Sequence, residues 1–164
     1  MDEAVQSNER FIARSFIVNR RSGRTLAIRR LDSRNNPFKY EVPGGKFVPE
    51  EEHMLTGLKR EVYEETRLKI VPTSRTPLYV QSDIMRHGQH DGIPCSRRFF
   101  IATQFEGVVN VEESDEHYEY CWCTYPQFMK LDLTNETRDA AKQLMGHLRR
   151  AGVRGVPHLK ELYS

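Results

Sequence analysis

The stretch from Glu41 to Leu68, EVPGGKFVPEEEHMLTGLKREVYEETRL, constrains this chain more than any other part of it. Met54, Leu58 and Val62 recur every fourth residue with Leu55 beside them, so His53 to Glu65 has the spacing of an amphipathic helix. At 100° per residue, Glu61, Glu64 and Glu65 fall within an arc of roughly 100° that adjoins the apolar one. One face can dock on a sheet while its edge presents three carboxylates together. Such groups repel one another, so a cationic partner is expected. Hard divalent cations prefer oxygen, and Mg²⁺ commonly binds through a few carboxylates plus substrate phosphates. The Gly44-Gly45 turn lets backbone approach a ligand closely, and its carbonyls can add an oxygen. Three glutamates on a surface helix usually mean only a solvated face. Here the Pro43-Gly44-Gly45 turn, the Arg60-Glu61 pair and the Glu64-Glu65 pair occur together, which favours a metal site.

The flanks read mostly as strands. Phe11 to Val18 and Thr25 to Arg29 alternate like strands, and Ser22-Gly23 between them signals a turn, so the two are expected to form a hairpin. Asp32 to Pro37 is loop chemistry, and Phe38 to Val42 is a short extended piece. Further strands are expected at Leu78 to Ser82, Arg97 to Phe105 and Tyr118 to Thr124, with a polar loop over Arg86 to Pro94. Pro126 suits the first turn of a short helix running to Leu131. Thr137, Ala141, Leu144 and Leu148 form the stripe of a longer helix from Thr134 to Arg150, stopped by Gly152, Gly155 and Pro157. Strands dominate the middle and helices interrupt and close them, which fits a mixed sheet covered by helices.

With these elements in place, the segment resembles the box of the Nudix hydrolases, G-x5-E-x7-R-E-U-x-E-E-x-G-U, where U is apolar. Arg60-Glu61-Val62-Tyr63-Glu64-Glu65 matches its R-E-U-x-E-E core, Gly45 its opening glycine and Leu68 its last apolar position. The resemblance implies an α/β fold, the Nudix α/β/α sandwich around a mixed β-sheet, spanning 1–164 as one domain with residues 1–10 a loose N-terminal segment. There are two departures. Eight residues separate Glu51 from Arg60 where the family has seven, so Glu52 is the favoured partner of Arg60 and Glu51 the alternative. Arg67 stands where the box has its helix-ending glycine, a conformation that would cost an arginine roughly 1–2 kcal/mol unless the helix ends differently.

The resemblance also implies the chemistry. Glu64 and Glu65 are similar to the main metal ligands, Glu61 is a ligand or general base, Arg60 braces the loop, and the Gly45 carbonyl is a further ligand. Another carboxylate is expected from Ser114-Asp115-Glu116-His117; we favour Glu116, with Asp115 and Glu113 as alternatives. The expected cofactor is Mg²⁺, with Mn²⁺ as a substitute, and the expected reaction is attack of water on phosphorus in a small nucleotide-like diphosphate. The substrate would be a nucleoside diphosphate linked to another group, or a nucleoside triphosphate. Arg29, Arg30 and Arg98 are candidate phosphate contacts, although surface solubility also explains arginines at strand ends. Trp122 and the aromatics Phe38 and Tyr40 are expected to pack. His87-Gly88-Gln89-His90-Asp91 reads as a polar loop more readily than as a metal site.

Composition narrows the alternatives. Twenty-five basic and 23 acidic residues leave a net charge of +2, which argues against a dedicated nucleic-acid surface. No apolar run is long enough to span a membrane, and the polar start lacks a signal peptide's apolar centre, so a cytoplasmic location is expected. Three cysteines without a CxxC pair suggest neither a disulfide framework nor a zinc site. A homodimer is left open. Two rivals share the resemblance: a nucleotide-sensing module that does not cut, against which the intact glutamates argue, and an isopentenyl-diphosphate isomerase, which would need a reactive cysteine that Cys95 resembles poorly.

Overall fold

A computed structural model describes residues 9–31, 37–85 and 92–153. The loop readings at 32–36 and 86–91, the N-terminal residues 1–8 and the stop signals at Gly155 and Pro157 lie outside the described residues. Among the described residues, eight strands and three helices follow in the order β1 (Arg10–Ile17), β2 (Thr25–Arg30), β3 (Tyr40–Glu41), β4 (Gly44–Phe47), α1 (Met54–Thr66), β5 (Lys69–Pro72), β6 (Tyr79–Ile84), β7 (Pro94–Glu106), β8 (His117–Cys123), α2 (Tyr125–Lys130) and α3 (Asn135–Arg150).

Strand β7 organises the larger sheet. Parallel β1 lies along one edge of it, with β4 antiparallel beyond. On the other edge β6 pairs with Pro94–Phe99 and β5 with Ala102–Glu106, so two short strands share one long partner end to end. Strands β3, β2 and β8 form a second, antiparallel sheet.

The expected hairpin of β1 and β2 does not form. Only a bridge between Val18 and Thr25 joins them, and the two strands enter different sheets. Each already has partners on both edges, β4 and β7 for β1, β3 and β8 for β2, so neither has an edge left for the other. The turn at 19–23 is present, with Gly23 N–H donating to the Asn19 carbonyl, but it carries the chain from one sheet to the next.

Both faces of this β-layer are covered, giving an α/β/α sandwich. Ala13, Ile17, Leu26 and Ile28 pack with Leu58 and Val62 of α1 on one side. Phe16, Val18, Ala27 and Phe99 pack with Phe128 of α2 and with Ala141, Leu144 and Leu148 of α3 on the other. The period-2 alternation of β1 thus feeds two cores, which is why its apolar run is nearly unbroken. Thr124 caps α2 through a capping box with Gln127, and Pro126 lies in its first turn. Among the described residues, no helix is long and apolar enough to cross a membrane.

Candidate active site

Three elements converge at the edge of α1. The first is the β3–β4 turn. Gly44 sits at φ 148°, and a Cβ there would lie 2.1 Å from the Ala13 carbonyl oxygen, so only glycine lets β4 lie this close to β1. At Gly45 a Cβ would meet Glu61 Oε2 at 2.5 Å, which shows how tightly the glutamate is laid over the bare backbone.

The second element is α1. His53 caps it, its Nδ1 accepting from Leu55 N–H at 3.2 Å. Leu58 and Val62 are fully buried, and the same docking buries Glu65, which accepts from Gly44 N–H at 3.0 Å. Burial pushes the Glu65 carboxyl well above the ordinary range. Arg14 and the Gly44 N–H oppose this, while Glu41 and Glu116 add to it. Glu61, partly buried, is raised by burial against the pull of Arg60, with Glu64 and Glu116 contributing repulsion. Glu64 stays exposed, 3.4 Å from Arg60.

Arg60 is the brace of the loop. Its Nη2 lies 2.6 Å from Glu52 Oε1, and its Nε donates to Glu52 Oε2 at 3.3 Å, so the two-pronged pair goes to Glu52. Its Nη1 also donates to Glu61 Oε1 at 2.9 Å. Glu51 is exposed, and its N–H, like that of Glu52, donates to the Val48 carbonyl. The inserted residue is absorbed there and leaves α1 undisturbed. At the other end of α1, Arg67 does adopt the left-handed conformation, φ 64°, with its N–H on the Tyr63 carbonyl. It pairs with Glu113 and lies over the Tyr63 ring at 5.2 Å.

The third element is the turn entering β8. Ser114 Oγ accepts from the N–H groups of Glu116 and His117, at 3.3 and 3.2 Å, and sets these two side chains side by side. Glu65, Glu116 and His117 each offer one donor atom within 4.8 Å of the others. Glu116, not Asp115 or Glu113, is the carboxylate that reaches the buried glutamate; Glu113 is taken by Arg67.

Beneath the site lies a buried polar network that the sequence reading did not identify. Glu41, 1% exposed, is met by Arg30 Nη1 at 2.9 Å, by His117 Nε2 at 2.8 Å and by Arg14 Nη1 at 3.3 Å. Burial pushes this carboxyl up, but Arg14, the hydrogen bond to His117 and Arg30 together hold it down at about 2. Arg14 also donates to the carbonyl of Val42. A signal was present, because Arg14 is a charge in the middle of the apolar strand FIARSFIV and needed a partner.

The candidate phosphate arginines are placed as follows. Arg30 is on Glu41. Arg29 pairs with Glu119 at 2.8 Å and lies over the rings of Tyr40 and Tyr118. Arg98 lies on the α1 side of β7, against Met54 and the Phe11 ring, with no carboxylate partner among the described residues. Trp122 stacks on Phe105. Tyr40 packs into the core beside α2 and α3. Phe38 instead remains 46% exposed at φ 61°, edge-on to Tyr118. Cys95 is buried and its thiol is pushed up by burial, the opposite of an activated nucleophile.

This donor set fits a hard divalent cation. Among the described residues no cation lies within bonding distance of the buried Glu65 carboxylate, Glu116 offers a second carboxylate beside it, and Glu61 lies against the Gly45 backbone.

A family model described as the NUDIX domain matches residues 9–144. Among solved structures, a MutT NUDIX hydrolase from Burkholderia pseudomallei is similar at 27% identity, covering 83% of this chain and 98% of that one, with a TM-score of 0.70. A MutT protein from Methanosarcina mazei Go1 shares 24% identity over 90% of this chain and 98% of its own, TM-score 0.68. An Ap4A hydrolase from C. elegans has the same fold at 18% identity, covering 86% and 98% respectively, TM-score 0.63. No curated protein matches the sequence.

Proposed function

Because this chain belongs to the Nudix family and is a pyrophosphohydrolase, we propose that it cuts a diphosphate bond in a small nucleotide with the help of Mg²⁺. The observation that carries the metal reading is Glu65: a carboxylate 6% exposed, with Glu41 and Glu116 adding repulsion that Arg14 and one backbone N–H oppose. A cation between Glu65 and Glu116 would let both carboxylates stay ionised at neutral pH. Glu61, Glu64, Glu65, Glu116 and the Gly45 carbonyl would hold it, Glu64 turning inward from Arg60. When bound, Mg²⁺ or Mn²⁺ would lower the pKa of a bound water and screen the phosphate charge.

The chain's own residues supply the rest. Glu61 is the base that takes the proton from the attacking water, its affinity for that proton already raised by burial. Arg60 keeps it aimed, because Glu52 and Lys46 fix the guanidinium from the loop side. Arg98 is the arginine best able to meet a substrate phosphate. It pairs with Ala13 across β1–β7, and Ala13 pairs with Gly45 across β1–β4, so it sits two strand spacings, roughly 9.6 Å, from the glycine. Arg29 and Arg30 are already held by carboxylates, so they shape the floor and wall of the cleft unless substrate displaces those partners.

The nucleotide is a nucleoside diphosphate joined to another group, or a nucleoside triphosphate. The test is a panel of nucleoside diphosphate sugars, dinucleoside polyphosphates, ADP-ribose and (d)NTPs, incubated with Mg²⁺ and read by mass spectrometry. At least one should yield two products split at the anhydride. Nucleotide binding without cleavage across the panel would instead make the chain a sensing module.

A further inference from the structure

We propose that His117 is a nitrogen ligand of the metal, through Nδ1, and that Glu41 is the residue that positions it. The proposal rests on the metal-dependent reading above and adds a ligand type that the glutamate-rich helix does not contain.

The argument begins with the ring's orientation. Glu41 is acceptor-only while ionised, and Arg14 and Arg30 keep it so. His117 Nε2, 2.8 Å from Glu41 Oε1, must therefore be the nitrogen that donates. In the neutral ring the lone pair is then at Nδ1, on the side of Glu65, whose Oε1 is 4.0 Å away. A carboxylate holding one imidazole nitrogen so that the other faces a metal is a recurrent way of fixing tautomer and direction. The ring is 1% exposed, so it is not held there for solubility.

The spacing agrees. Donor atoms of His117, Glu65 and Glu116 lie within 4.8 Å of one another. Two ligands on one ion at about 2.1 Å can be at most about 4.2 Å apart, so small side-chain rotations close the site. Among the described residues Ser114 is the hydroxyl placed to donate to Nδ1, and at 3.4 Å, longer than a normal hydroxyl hydrogen bond, it is a weak partner that a cation can displace. The same oxygen accepts from the N–H groups of Glu116 and His117, which presents the two side chains together.

An imidazole among carboxylates moves preference away from Mg²⁺, which favours oxygen, toward Mn²⁺ and later first-row dications. The test is spin-echo modulation spectroscopy of the Mn²⁺-loaded, otherwise intact protein. Nitrogen coupling is expected, altered by ¹⁵N-histidine labelling and lost in a folded His117→Gln variant. That variant should also bind Mn²⁺ at least tenfold more weakly by titration calorimetry, with a smaller loss for Mg²⁺. Because His117→Gln disturbs a buried network, Mn²⁺ anomalous scattering from crystals of the unaltered protein provides the second measurement, with the peak expected about 2.1 Å from Nδ1. Mn²⁺ bound at the glutamates without nitrogen coupling, or coupling that persists in folded His117→Gln, overturns the proposal. No Mn²⁺ binding at all overturns the metal reading beneath it.

Discussion

Glu41 and Glu65 flank the same imidazole, yet their surroundings drive their proton affinities apart. Glu41 has two guanidiniums and falls to about 2, while Glu65 has a single backbone donor and rises. Lowering a pKa from 4.5 to about 2 corresponds to about 3 kcal/mol of stability. The contribution is present above the unfolded value of 4.5 and is lost as pH falls through about 2. Glu41→Gln should therefore lower stability at pH 7 by about 3 kcal/mol in urea unfolding, with the gap from the native protein narrowing between pH 4.5 and 2. Equal stability at pH 7 would show that the network is not held by this charge. Glu65 has the opposite sign: its own contribution to metal-free stability is fully present below 4.5 and is lost as pH rises through the raised value. Glu65→Gln should thus keep or raise the metal-free Tm at neutral pH. Its turnover at saturating Mg²⁺, and that of Glu64→Gln, should fall by at least roughly a hundredfold, or ~2.7 kcal/mol of barrier. A folded Glu65→Gln protein with near-normal turnover would remove that residue from the metal site.

At the scale of elements, α1 was legible because its signals are local: a four-residue apolar repeat and the Arg60 pairings within one turn or one loop. The pairing of β1 and β2 was not, because a turn signal reports a change of direction and not which strand lies alongside. Nor did the sequence settle the end of α1, where Arg67 keeps the conformation usually left to glycine. Its contacts with Glu113 and the Tyr63 ring offset a strain of about 1–2 kcal/mol. Arg67→Gly relieves the strain but loses both contacts and gains freedom in the unfolded chain, so stability should change by less than about 1 kcal/mol, with turnover unaltered. A gain of several degrees in Tm would mean that the contacts contribute nothing. Arg60→Ala should behave differently. Its side chain is 41% exposed, so solvent screens the pairs and the loss of stability should be only about 1 kcal/mol. Turnover should drop more steeply, because Glu61 loses its 2.9 Å partner and its aim. Unchanged Tm together with unchanged turnover would show that the brace is elsewhere.

The whole molecule supplies what no single element can, namely the meeting of residues far apart in the chain. Glu41 and His117 are 76 positions apart, and no spacing rule could have joined them. The box announced the carboxylates of α1, whereas the network beneath depends on β2 pairing with both β3 and β8, which brings Arg30 opposite His117. The same assembly sets the energetic state of the metal-free protein, with Glu116 repelling both Glu61 and Glu65. A dication that binds only the folded chain should relieve that repulsion and stabilise the fold. At a hundred times its dissociation constant it contributes about 2.7 kcal/mol. In a domain of this size that corresponds to roughly 5–11 °C in Tm. EDTA-treated protein should accordingly melt lower and be inactive, and Mg²⁺ or Mn²⁺ should restore both properties together. The shift should shrink in Glu65→Gln, whose fold no longer carries the repulsion being relieved. Activity and Tm thus report on one site by two routes. Full turnover of a diphosphate substrate in metal-free buffer would overturn the metal-dependent reading. A metal-induced Tm rise undiminished in Glu65→Gln would place the cation away from α1.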